Sequence, residues 1–264
     1  MALIHIDHVP ESVKVNLPLN LIVPEPAKMG ELPLAKCRVL YLLHGLSDDA
    51  SAWQRYSSIE TLAKAYGLVV VMPSVGRSFY VDMPNGQKYF TYLVEELPRY
   101  LKYLFGLAPK RENTFIAGLS MGGYGAMKAA LLHPELYSAA ASFSGVLSMH
   151  LFKALPDDPR TPEFTLIFGD LDKVAGSEHD PAVWLQRAAK KPAALPKLFI
   201  YTGRQEDIYP LSGLFFSACN ALGVHTEYSE EDGQHDWFLW DRQLPRFLES
   251  ILGPVPVNAP HARG

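Results

Sequence analysis

Cysteine is nearly absent: the 264 residues contain two, Cys37 and Cys219, and neither belongs to a ligand or redox motif. A chain of this length buries enough apolar surface to fold without disulfide staples, so free thiols in a reducing, cytoplasmic setting are expected. Basic charge is also in deficit. The 24 Lys and Arg against 28 Asp and Glu leave a net charge of -4, and the cations stand singly, which excludes the basic stripe that nucleic-acid binding requires. No apolar run approaches the ~20 residues that span a bilayer, and residues 1–8 have neither the basic start nor the apolar stretch of a signal peptide. No cluster of His, Cys and carboxylates has ligand spacing, so neither a metal nor a cofactor is expected. Internal repeats are missing, and the only biased stretch, 254–264, is rich in Pro, Ala and Gly. It reads as a flexible tail on a single domain spanning 1–253.

What the chain does have is a series of short, almost wholly apolar runs at 39–43, 68–72, 114–118, 139–143 and 197–201. Strands covered on both faces read this way. Between them, at 57–66, 91–105, 121–133, 181–191, 210–222 and 237–251, apolar residues return every three or four positions as on a packed helix. Alternating strands and helices predict an α/β fold with a mostly parallel, doubly wound sheet. Upstream, Val13-Lys14-Val15-Asn16-Leu17 alternates like a half-exposed antiparallel strand. In such sheets chemistry gathers at the carboxyl ends of the strands, and the motifs of this sequence fall there.

Gly118-Leu119-Ser120-Met121-Gly122 fits G-x-S-x-G between a strand and a helix. The bare pattern arises by chance in roughly one chain in ten of this length, but the strand–turn–helix context is the one in which a serine is forced out of a sharp bend as a nucleophile. The backbone N–H of Met121 then supplies one oxyanion donor. His44-Gly45-Leu46, closing the strand at 39–43, supplies the other through Leu46, while His44 braces the loop. For the general base, Gly233-Gln234-His235-Asp236-Trp237 follows a last strand-like run at 224–228 and precedes the final helix, making His235 the candidate. His5, His8, His133 and His261 are peripheral or capping positions, and His150, His179 and His225 read as structural or solvated. The acid that orients the base should follow the strand at 197–201, where Glu206 and Asp207 stand side by side. Asp207 is preferred and Glu206 is the alternative.

These residues sit in a longer set of marks: Tyr41-Leu42-Leu43-His44-Gly45 followed by Trp53; Arg77-Ser78-Phe79-Tyr80-Val81-Asp82-Met83 followed by Gly86 and Tyr89; Glu95-Glu96-Leu97; the serine turn; His133-Pro134-Glu135; Gly176-Ser177-Glu178; and His235-Asp236-Trp237. With them the chain, over about residues 10–252, resembles the tributyrin esterase family of the esterase D group of α/β-hydrolases, which also includes S-formylglutathione hydrolase. That resemblance implies an α/β-hydrolase fold without a large cap domain. It also implies a triad of Ser120, Asp207 and His235, and hydrolysis of short acyl esters, acetyl to butyryl, or of acylated sugars. One departure stands out. Family members usually read Cys-Gly-x-x-Asp around the acid, whereas Thr202-Gly203 is followed by one residue more before Asp207.

The stretch 146–180 is too short for a separate lid and long enough for a wall. Leu147, Met149, Leu151, Phe152, Leu155 and Phe164, with Phe79, Tyr80 and Trp237, are candidates for an acyl groove or for plain core. The expected partner is a small ester. Three rivals stay open: a thioesterase, an acyltransferase using the same acyl-enzyme, and a catalytically silent binding module. A homo-oligomer is compatible with the sequence, which does not specify one.

Overall fold

The apolar runs become the inner strands of one eight-stranded sheet because, with helices on both faces, no strand position there can meet water. The computed structural model describes residues 1–25, 33–149 and 158–255. Its strands are β1 (Ala2–His8), β2 (Leu17–Val23), β3 (Arg38–Leu43), β4 (Leu68–Pro73), β5 (Thr114–Leu119), β6 (Ala139–Phe143), β7 (Lys197–Gly203) and β8 (Thr226–Glu231). They are ordered β1-β2-β4-β3-β5-β6-β7-β8. The β1–β2 and β2–β4 pairs are antiparallel, and every later pair is parallel. Side chains of alternate parity feed two apolar cores, one on each face. At the edges of the sheet, β8 carries Glu227, Glu230 and Glu231, and the half-exposed β1 carries Asp7. Charged edges discourage pairing with another chain.

Helices occupy the periodic segments: α1 (Ala52–Tyr56), α2 (Ile59–Tyr66), α3 (Leu97–Phe105), α4 (Met121–Leu132), α5 (Thr161–Phe168), α6 (Pro181–Ala188), α7 (Tyr209–Ala221) and α8 (Trp237–Leu252). A π-turn over Tyr92–Glu96 leads into α3. Glu96, at its end, accepts hydrogen bonds from the backbone N–H groups of Glu11 and Ser12 and from the Ser12 hydroxyl, which ties the amino-terminal segment to this helix.

Two expectations shift. The alternating segment Val13 to Leu17 is not a strand. Its N–H groups at Val13 and Lys14 fold back onto the Pro10 carbonyl, and Lys14 adopts a left-handed φ of 60°. The half-exposed strand is β1, and β2 starts only at Leu17. The last strand lies at Thr226–Glu231, displaced carboxyl-terminally from 224–228, because its exposed edge side needs no apolar pattern. Between β6 and β7, α5 buries Phe164, Ile167 and Phe168 at helical spacing.

Candidate active site

The six loops after β3 to β8 converge at the carboxyl edge of the sheet, and the one after β5 turns directly into a helix. Ser120 has φ 52° and ψ -116°, a conformation costing a non-glycine residue roughly 1–3 kcal/mol. Its neighbours hold it there: the Ser120 N–H donates to the Phe143 carbonyl at 2.8 Å, fixing the bend to β6. Glycine is needed on both sides because α4 presses against β3 and β5. A Cβ on Gly118 would lie 2.4 Å from the Gly122 carbonyl oxygen, and one on Gly122 would lie 2.5 Å from the carbonyl oxygen of Leu43. Met121 opens α4, where the first N–H groups have no carbonyl within the helix to serve.

On the β3 side, His44 is buried and both its ring nitrogens are engaged. Nδ1 meets the Gly45 carbonyl at 2.7 Å, and Nε2 accepts from the Val75 N–H at 3.1 Å. Only a neutral ring protonated at Nδ1 satisfies both, and burial lowers its pKa to about 4. The expected bracing role therefore matches the geometry: His44 locks the Gly45-Leu46 loop to the segment after β4. His179, packed edge-on against Phe168, is likewise pushed down to about 4, chiefly by burial. Unfolding frees both rings to take up protons near their ordinary value of 6.5. Their contribution to stability is thus complete above about pH 6.5 and is lost as pH falls from there through about 4. Calorimetric melting at pH steps across that window should show the loss, and His179→Phe should make it shallower.

The third group follows β7 and β8. Glu206 has a fully buried side chain, and its Oε2 lies 3.3 Å from Nδ1 of His235. Its Oε1 accepts from the Gly203 N–H at 2.9 Å and from the Ser144 hydroxyl. A carboxylate can only accept here, so Nδ1 carries the proton and Nε2 keeps its lone pair. His235 stands edge-on to Trp240, with centroids 4.9 Å apart, and is about one-third exposed. Asp207, the sequence's preferred acid, does not reach this imidazole. It is exposed at the cavity wall and makes no hydrogen bond or ion pair to any described residue. The reason is local: the chain turns toward α7 immediately after Glu206, so consecutive side chains point opposite ways. The spacing Thr202-Gly203-x-x-Glu206 kept Glu206 as the alternative without deciding between the two carboxylates.

Ser120 and His235 open onto one cavity of about 330 Å³, lined also by Leu46, Phe79, Val146, Arg160, Phe164, Asp207 and Ile208. Of the proposed groove residues, Phe79 and Phe164 line it. Leu147 and Met149 lie in the core and beside a separate cleft, and Leu151, Phe152 and Leu155 fall outside the described residues. Trp237 packs instead against Trp53 and Tyr56, with ring centroids 5.0 and 5.3 Å away. Tyr80 is buried behind the His44-Gly45-Leu46 loop, its hydroxyl donating to the His44 carbonyl at 3.1 Å. Arg160, Val146 and Ile208 carried no sequence signal. Arg160 is recruited by α5, where it pairs with Asp158 and covers the Phe164 ring. Arg77, paired with Glu163, ties the same helix to the loop after β4. Four of the five left-handed non-glycine residues of the described chain, Phe79, Tyr80, Ser120 and Ser144, cluster around this site. Such strain persists only where the surroundings over-determine it.

Comparison with known proteins identifies the family. A family model described as "Putative esterase" matches residues 12–251. The acetyl esterase of Caldicellulosiruptor saccharolyticus is 29% identical over 259 residues, covering 94% of this chain and 97% of its own. Two solved Staphylococcus aureus structures superpose closely, each at 32% identity. Fluorophosphonate-binding serine hydrolase F, with substrate bound, has a TM-score of 0.86 and covers 96% of this chain and 99% of its own. An S-formylglutathione hydrolase apoenzyme has a TM-score of 0.84, covering 95% and 98%.

Proposed function

The chain belongs to the "Putative esterase" family and is a carboxylic ester hydrolase, and from that membership we propose a serine carboxylesterase for short acyl esters, acetyl to butyryl. Its triad in this reading is Ser120, His235 and Glu206. The observation that carries it is the shared cavity of Ser120 and His235, with the imidazole's Nδ1 engaged by a buried carboxylate. His235 Nε2 takes the Ser120 proton as Oγ attacks the ester carbonyl, and Glu206 holds the tautomer and stabilises the imidazolium that forms. The N–H groups of Met121 and Leu46 receive the developing oxyanion. His235 then protonates the leaving alcohol, and a water activated by the same ring frees the acid. Every proton moves between these side chains, substrate and water.

The walls support the short-acyl reading. Leu46, Val146, Phe164 and Ile208 give an apolar pocket of modest volume, and a relative acts as an acetyl esterase. Nitrophenyl esters of increasing chain length test this: turnover should be highest from acetyl to butyryl and should fall for longer chains. Undiminished kcat/KM for octanoyl and longer esters would overturn the short-chain reading. A thioesterase is the second reading, favoured by the likeness to the S-formylglutathione hydrolase structure. S-formylglutathione turnover exceeding that of the best ester would make it the better one.

A further inference from the structure

Behind the paired His235 and Glu206 stands a group that the ester-hydrolysing mechanism does not use. Ser144 follows β6 and is buried, as are Glu206 and Trp240. The indole Nε1–H of Trp240 donates to the Ser144 hydroxyl oxygen at 3.0 Å, and that hydroxyl donates to Oε1 of Glu206. The direction is fixed, because the indole can only donate and an ionised carboxylate can only accept. The Ser144 N–H is in turn anchored to the Tyr201 carbonyl at 2.8 Å. Three strands thus meet at one carboxylate: β6 through Ser144, β7 through Gly203, and the loop after β8 through His235.

The backbone gives a second, independent observation. Ser144 has φ 50°, a left-handed conformation that glycine adopts freely and serine does not. Backbone geometry alone therefore favours glycine, and the hydroxyl is what a serine adds. We propose that Ser144, backed by Trp240, is a positioning residue of the triad: its hydroxyl holds one oxygen of Glu206 so that the other faces His235. The inference rests on the reading of Glu206 as the acid.

The test is a double-mutant cycle with a nitrophenyl butyrate assay. Ser144→Gly removes the hydroxyl and suits the backbone, so relief of the left-handed strain partly offsets the two lost hydrogen bonds and the protein should still fold, with a melting temperature only a few degrees lower. Its kcat should nevertheless fall roughly 10- to 100-fold, the range for losing a hydrogen bond to a charged group, with KM little changed. In a Glu206→Gln background the same substitution should cost almost nothing further, because residues acting through one another are not additive. Trp240→Phe, which keeps the ring bulk and drops the N–H, should fall between. An equal loss in both backgrounds, or no loss in the first, overturns the proposal. If Glu206→Gln is damaging and Ser144→Gly is silent, only the role of Ser144 falls; if Glu206→Gln is itself silent, the acid assignment falls with it. Should Ser144→Gly fail to fold, Trp240→Phe carries the same cycle.

Discussion

Ser120→Ala should abolish ester turnover, with kcat falling by about six orders of magnitude, the loss measured when the nucleophile of a serine-protease triad is removed. The size follows from the unit's design. Without Oγ, the imidazole has no proton to take and the oxyanion donors have no tetrahedral intermediate to hold. The fold should survive, because the bend is held by the backbone bond to Phe143 and by the glycines at 118 and 122 rather than by the hydroxyl. Mass spectrometry after exposure to a fluorophosphonate should find one adduct on the unaltered protein and none on the variant. Labelling of both to equal extent would place the nucleophile elsewhere and remove the basis of the proposed mechanism.

The second large effect separates two adjacent carboxylates. Glu206→Gln should keep the fold and lower kcat by about four orders of magnitude, as the amide replacement of a triad acid does in a serine protease by leaving the wrong tautomer. Asp207→Asn should change kcat only a few-fold, the scale on which an exposed charge acts through solvent. Both variants are nearly isosteric with the parent residue, so circular dichroism and melting should distinguish lost chemistry from lost structure. If the ranking is reversed, with Asp207→Asn the more damaging, the acid is Asp207 and the geometry around His235 rearranges during catalysis.

Much of this site was legible in one dimension because its constraints are local. A serine between glycines at a strand-to-helix junction is a statement about sterics within five residues, and an apolar run of five or six is a statement about burial on both faces. Both are written in adjacent positions, so β3 to β7, the serine turn, the His44-Gly45-Leu46 loop and the position of His235 could be read directly. The amino-terminal strand failed for the complementary reason. Alternation over Val13 to Leu17 marks sides of a chain without saying whether a neighbouring strand exists, and here Pro10 and the left-handed Lys14 turn the segment away before β2 begins. The cavity wall was partly hidden, since Arg160 and Ile208 become neighbours of Ser120 only through the packing of α5 and the turn before α7.

The sequence by itself determined the fold class and the positions of the candidate nucleophile and candidate base, because each rests on backbone sterics or periodic burial within a short window. Which of two neighbouring carboxylates meets the imidazole was decided only in three dimensions. Residues 206 and 207 are chemically alike and differ in direction, and direction is set by how the turn after β7 is gripped by Ser144, Gly203 and the loop after β8. That grip joins residues up to 62 positions apart, a distance over which no local pattern of residues carries information.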